Sequence, residues 1–320
     1  MNYNSKFAHG LMFHRFSNSK KNNYIPGSLI KKDLEDIIKY VGKNRILTPQ
    51  KWLDRLTKNK LNKDNLCITF DDGLKSQYKI ALPVLNKYKI KAFWFIHTGI
   101  FSKIYDKNEI FTYLIFTKFK KFQIFFKKFL NYSKFDKSLF QSKRFKSFFK
   151  KYSKQYKYYS KSEIQYRFIR DFVFLRKEFD IIMTKFFLNN KINIKKYEQN
   201  TWMKKNDIIN LSKNGHIIGM HSFSHPFRIS NISKFNQNKE YKKSFKDLKS
   251  ICKKNIMSMS HPMNSYNNYI LKLLSKMGIV CGFKADNKIN MKSKKNYEHL
   301  KIPREDAIFI LKKIKKHEKK

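Results

Sequence analysis

The chain has 320 residues, 41% of them hydrophobic and 16% aromatic, enough to bury a sizeable core and unlike the composition of a disordered chain. Lys and Arg number 71 against 23 acidic residues, a formal net charge of +48, which ordinarily signals a polyanion partner. Only 9 of the 71 basic residues are Arg, whereas base and phosphate readers favour its bidentate fork. The Lys excess, spread beside Asn, Ile, Phe and Tyr, reads as compositional drift, and no specific nucleic acid is expected.

No apolar run approaches the roughly 20 residues needed to cross a bilayer. The opening MNYNSKFAHGLMFH lacks the basic start and long apolar stretch of a secretory signal, so a cytoplasmic location is the expectation. Cys67, Cys252 and Cys281 are an odd number without CxxC spacing. That argues against a disulfide framework or a thiolate zinc site and for burial as small core residues.

In chain order, residues 8–14 (AHGLMFH) read as a buried strand. Ser28 to Tyr40 has helical spacing (Leu29, Leu34, Ile37, Ile38), and Thr48-Pro49 opens a second short helix. Leu66-Cys-Ile-Thr-Phe70 is a continuous apolar run that stops at Asp71-Asp72-Gly73, the pattern of a strand buried on both faces that emerges at a loop. A helix over Tyr78 to Tyr88 and a strand over Ala92 to Ile96 complete a βαβ unit and therefore a parallel sheet.

Residues 102–200 break this rhythm, holding more than half of the Phe and half of the Tyr with Lys between them. The near-3.6 periodicity predicts aromatic helix faces packed into an insertion, while the alternation also fits a single-strand-binding platform. The α/β rhythm then returns with a helix over Asp207 to Lys213 and a strand over His216 to Met220. A helix over Phe235 to Lys254, a strand over Ile256 to Ser260, a helix over Tyr266 to Met277 and a strand over Ile279 to Phe283 follow. The alternation predicts a distorted TIM-like (β/α) barrel of about seven strands, built from residues 1–101 and 201–320 around the insertion 102–200. In such a barrel the loops at the C-terminal strand ends carry the chemistry.

Three polar segments stand at such ends. In Thr69-Phe70-Asp71-Asp72-Gly73 two adjacent carboxylates repel unless a cation is nearby; pointing in different directions, one can ligate a metal while the other faces substrate. Asp-Asp-Gly is equally good chemistry for a solvated turn. In His221-Ser-Phe-Ser-His225-Pro226 the two imidazoles reach one ion if the backbone between them begins a helical turn, and with one Asp they leave positions open for water and substrate. Surface His pairs with this spacing also arise by chance. In Met259-Ser-His261-Pro262-Met263-Asn264, Pro262 fixes a turn that makes the Met263 N–H a candidate oxyanion donor.

Taken together, TFDDG, HSFSHP and the strand-Pro-turn resemble three motifs of the polysaccharide deacetylase (NodB-homology) family of carbohydrate esterases. The likeness spans residues 8–101 and 200–310. SHPMNSYN and Ile302-Pro303-Arg304-Glu305-Asp306 are most similar to members associated with cell-surface glycan gene sets. The resemblance implies a distorted barrel and metal-dependent removal of an N- or O-acetyl group from a sugar. It makes Asp71 the general base and Asp72, His221 and His225 the ligands of a divalent metal, zinc in the first instance. The family's third motif opens with an Arg that orients the base; His261 stands there in this chain, and Arg304 is the replacement cation beside Asp71. The family's Leu-x-His with the general acid is not recognisable. His14 takes that role or contacts substrate, with His97 and His261 as competitors, and Glu298-His299-Leu300 mimics the motif only superficially. The chain beyond Phe283 looks short for the remaining barrel elements.

The function read from the sequence is zinc-dependent deacetylation of an N-acetylated amino sugar in a surface-glycan precursor. A lipid- or nucleotide-linked precursor would be anionic and suit the basic field, with the protein peripheral at the anionic inner membrane surface. Two other readings stay open: a metal-dependent hydrolase of a non-sugar amide on the same barrel, and a basic protein binding nucleic acid or a membrane surface.

Overall fold

The computed structural model describes residues 3–19, 25–155, 159–287 and 297–318. Two compact units emerge, one of Met1–Lys20, Pro26–Asp106 and Thr201–Lys320, the other of Lys21–Ile25 and Lys107–Asn200. The first unit begins with β1 (His9–Phe13), α1 (Lys31–Val41), α2 (Pro49–Thr57), β2 (Leu66–Phe70), α3 (Leu82–Lys87) and β3 (Phe93–Ile96). The second contributes α4 (Asn108–Lys118), α5 (Phe122–Ser133), α6 (Lys143–Gln155), α7 (Lys161–Phe168), α8 (Arg176–Asn189) and α9 (Lys195–Thr201). The first then resumes with α10 (Lys205–Lys213), β4 (Ile217–Met220), α11 (Lys234–Cys252), β5 (Ser258–Ser260), α12 (Asn268–Lys276), β6 (Cys281–Phe283), β7 (Arg304–Asp306) and α13 (Ala307–His317). Among the described residues no helix is long and apolar enough to cross a membrane.

The seven strands are all parallel and run β6-β5-β4-β3-β2-β1-β7. The sheet nearly closes into a barrel because one extended segment serves both of its edges. Ile302 bridges Phe283 of β6, and two residues later Arg304 pairs with Gly10 of β1. The chain beyond Phe283, which looked too short, therefore suffices. Its strand escapes a reading based on apolar runs because Arg304-Glu305-Asp306 is wholly charged.

Alternate residues along a strand point to opposite faces. Leu11, Phe13, Ile68, Phe70, Trp94, Ile96, Ile218 and Met220 pack with the apolar sides of α1, α10, α11 and α12. Cys67, Phe93, Phe95, Cys281, Phe283 and Ile302 form a separate cluster with Trp52 of α2, the barrel interior. Cys67 and Cys281 are thus the small core residues expected, and Cys252 is half-buried. Continuing the interior row by steps of two leads from Cys67 to Thr69 and Asp71, from Phe95 to His97, and to Ser260 at the end of β5. The barrel's own periodicity delivers polar side chains to one mouth. Gly10 has a steric reason on this row, since a Cβ there would lie 3.0 Å from Cγ of Arg304 and 3.2 Å from Cγ2 of Thr69.

Within the second unit many of the aromatic residues are core. Phe111, Phe125, Phe129, Tyr166, Phe179, Phe186 and Phe187 are buried and meet largely edge to face, as in the 5.4 Å Phe125–Tyr166 and 5.9 Å Phe129–Phe186 pairs, the arrangement their ring quadrupoles favour. Phe145, Phe148, Ile164 and Phe168 form a smaller cluster. These rings are packed against one another as the helical periodicity predicts.

Candidate active site

Arg304 enters the barrel from β7 with a side chain 0% exposed, where an unpaired guanidinium would be strongly disfavoured. Each of its five N–H donors has an acceptor. Nε donates to Lys284 O at 3.0 Å, one terminal nitrogen to Thr69 Oγ1 (3.2 Å) and Asp71 Oδ1 (2.7 Å), the other to Asp71 Oδ2 (2.7 Å) and Ser260 Oγ (2.7 Å). Ser260 Oγ in turn donates to Asp71 Oδ2 at 3.2 Å. The pair with Asp71 is the bidentate fork that Lys cannot reproduce. Burial alone would push the Asp71 carboxyl up, but Arg304, His221 and His14 outweigh it and hold the group below its ordinary value. Asp71 is a carboxylate at neutral pH.

Asp72 turns the other way because its backbone is left-handed, at φ 75°. Its Oδ1 lies 3.3 Å from His221 Nε2 and 3.5 Å from His225 Nε2. One ligand atom from each of Asp72, His221 and His225 falls within 4.8 Å of the others, the one such cluster among the described residues. His221 Nδ1 donates to Ser260 O at 2.9 Å, which leaves Nε2 as the free nitrogen of the neutral ring and fixes its orientation. Two imidazole nitrogens and a carboxylate oxygen facing one point are a donor set that suits a divalent metal. Burial opposes charging His221, yet Asp71 and Asp72 prevail and raise its pKa. Asp72 is driven well below the usual carboxylate range, against its burial, by the His221 hydrogen bond and the neighbouring imidazoles.

The two histidines converge, but not through a helical turn. Residues 221–226 are irregular, and left-handed Ser222 (φ 62°) and His225 (φ 56°) bend the chain instead. The other expected residues separate. His14 is 37% exposed, with Nε2 3.8 Å from Asp71 Oδ2, so it alone of the three candidate acids stands open beside the base. His97 is buried against Trp202 (ring centroids 4.8 Å) and His225 (5.6 Å), and burial holds it neutral. His261 is not a substitute for an arginine. It is buried, donates Nε2 to Leu300 O at 2.8 Å and is pushed down to about 4 by burial, so it anchors the loop before β7 and makes no contact with Asp71. Pro262 is buried at the start of a short turn, and Met263 follows in a left-handed conformation (φ 52°) with its side chain 52% exposed.

Residues 58–111 and 169–282, just over half of the chain, match the family model described as polysaccharide deacetylase. The chain belongs to the polysaccharide deacetylase family. It is accordingly a hydrolase of the polysaccharide deacetylase type. Among solved structures the fold is similar to that of the Streptococcus pyogenes deacetylase PplD in complex with acetate, at TM-score 0.56 and 13% identity over 98% of each chain. IcaB from Ammonifex degensii matches at 0.54 and 13% over 97% of this chain and 99% of its own. A de-N-acetylase from Aggregatibacter actinomycetemcomitans matches at 0.53 and 12% over 94% and 95%. No curated protein matches the sequence.

Three further residues of the site escaped the sequence reading. Thr69 and Ser260 complete the shell around Arg304 and Asp71, and both were legible only as the interior row of β2 and β5. Gln77 lies in a π-type turn before α3, fully buried, and its Nε2 donates to His14 O at 2.9 Å and Asp71 O at 2.6 Å. One amide thereby ties together the strand ends that bear the two candidate proton-transfer groups.

Proposed function

We propose that the enzyme removes the acetyl group from the nitrogen of an amino sugar in a glycan, using a divalent ion, zinc in the first instance, held by Asp72, His221 and His225. The observation that carries this reading is the juxtaposition of that three-donor cluster with a buried carboxylate clamped by Arg304. When bound, such an ion supplies Lewis acidity and makes water a better nucleophile near neutral pH. Asp71, kept ionised by Arg304 and with lone pairs to spare beside the guanidinium, accepts the proton of the water that attacks the acetyl carbon. The Met263 N–H is the proposed donor to the resulting oxyanion. His14 delivers a proton to the sugar nitrogen as the C–N bond breaks, giving acetate and a free amine, and Asp71 loses its proton through His14 or to solvent.

The +48 formal charge favours an anionic form of the saccharide, such as a lipid- or nucleotide-linked precursor. Purified protein is expected to carry about one divalent ion per chain. His221→Ala should lose it, and Asp71→Asn should retain the ion yet release no acetate from an N-acetylated glycan. Full acetate release by Asp71→Asn would remove the base assignment, and a metal-free but fully active protein would remove the metal.

A further inference from the structure

His225 hangs from a loop and not from a strand, so the sheet cannot by itself hold its ring toward Asp72. Ser222 and His225 are left-handed in that loop, a conformation unfavourable for non-glycine residues that relaxes unless neighbours over-determine it. From the end of β3, Thr98 N and Gly99 N donate to Ser222 O (3.3 Å) and Phe223 O (2.7 Å). Gly99 is required for this approach, because a Cβ would stand 2.7 Å from Phe223 O and 1.8 Å from Ile104 O. Ser222 Oγ accepts from His225 N at 3.1 Å. On its remaining donors the loop meets α11, where Glu240 accepts from Phe223 N (3.0 Å), Ser224 N (2.8 Å) and Ser224 Oγ (2.6 Å). The same helix face carries Lys243, 4.7 Å over the Phe223 ring, and Asp247, which accepts from Thr98 Oγ1 at 2.9 Å.

We propose that Glu240 is a positioning residue of the metal site, its carboxylate holding residues 222–225 in the conformation that turns His225 Nε2 toward Asp72. The inference rests on the reading of Asp72, His221 and His225 as metal ligands. Three converging donors need an acceptor with no hydrogen of its own, which an ionised carboxylate is and an amide is not. His221 has its own anchor in Ser260 O, so loss of Glu240 acts on one ligand and not on the whole cluster.

The test is calorimetric titration of Zn2+ into metal-free wild-type protein and Glu240→Ala, with the visible spectrum of the Co2+-loaded forms as a second readout of ligand geometry. Glu240→Ala is expected to weaken zinc about 10- to 100-fold, the usual effect of losing an outer-shell partner, and Glu240→Asp to restore part of the loss. In a His225→Ala background the same substitution should change zinc affinity no further, a coupling that a merely structural glutamate would not produce. If Glu240→Ala does not fold, Glu240→Gln, which removes the charge and faces an amide donor to the loop, carries the same expectation. Wild-type zinc affinity in the folded Glu240 variants, or an equal loss with and without His225, overturns the proposal. A wild-type protein that takes up no zinc overturns the metal reading itself, and this inference with it.

Discussion

Arg304→Met tests the centre of the site. The substitution removes five donors at once, leaves the buried Asp71 carboxylate without its guanidinium, and strands the Thr69, Ser260 and Lys284 acceptors that Arg304 had satisfied. Removing one partner of a buried ion pair costs about 3–5 kcal/mol, because the other charge stays desolvated. An unfolding entropy of ~2.1 cal/mol/K per residue gives about 0.7 kcal/mol/K for a chain of 320 residues, so Tm should fall by about 4–7 °C. The loss has a pH signature. In the wild type the Asp71 pKa is depressed, so its contribution is fully present above the unfolded value of ~3.9 and disappears as pH falls through the folded value. In the variant burial acts unopposed by the guanidinium and raises Asp71, so acidification stabilises it by that same group. Thermal melts from about pH 7 to pH 3 should therefore show a deficit that is widest near neutrality and narrows in acid. The double variant Asp71→Asn/Arg304→Met should lose less than the two single effects added together. A wild-type Tm in Arg304→Met, or a deficit that ignores pH, would refute the assignment of this pair as the electrostatic anchor of the site.

Gln77→Leu leaves the His14 and Asp71 carbonyls without their shared donor, and a stability loss of about 1–3 kcal/mol is expected. Because the amide ties the two strand ends and not the substrate, kcat for acetate release should drop more than KM rises in steady-state assays. His216 and His261 are both held down to about 4 by burial, against an ordinary value of 6.5. Their contribution is fully present above about pH 6.5 and is lost as pH falls toward 4, at about 3 kcal/mol each. Melts over that interval should be shallower for His216→Phe than for the wild type, and identical slopes would remove His216 from the account.

The parts of the site that lay open in the sequence are those whose geometry is local. Asp71 and Asp72 adjoin an apolar strand; the strand's alternation sends Asp71 inward, and the left-handed backbone of Asp72 turns it toward the two imidazoles. His221 and His225 are also local, though their convergence comes from left-handed residues and not from the helical turn that their spacing suggests. Arg304 was placed beside Asp71 only through the family resemblance, as the cation standing in for the arginine of the third motif, and the structure pairs the two. It is 233 residues from Asp71, in a charged tripeptide that resembles a surface loop until β7 adds to β1. His261 misleads for the opposite reason, since a histidine after a strand looks catalytic whether its ring faces the mouth or, as here, the carbonyl of Leu300.

Periodicity and composition alone determined that this chain alternates strand and helix around an aromatic helical insertion, because burial pattern and capping act over a few residues. Tertiary structure decided which polar residues share a pocket. Closure of the barrel through Ile302 and Arg304, the Ser260 contacts to both His221 and Arg304, and the tie made by Gln77 all join segments distant in the chain. Whether such groups meet depends on strand order and register, which no local preference encodes.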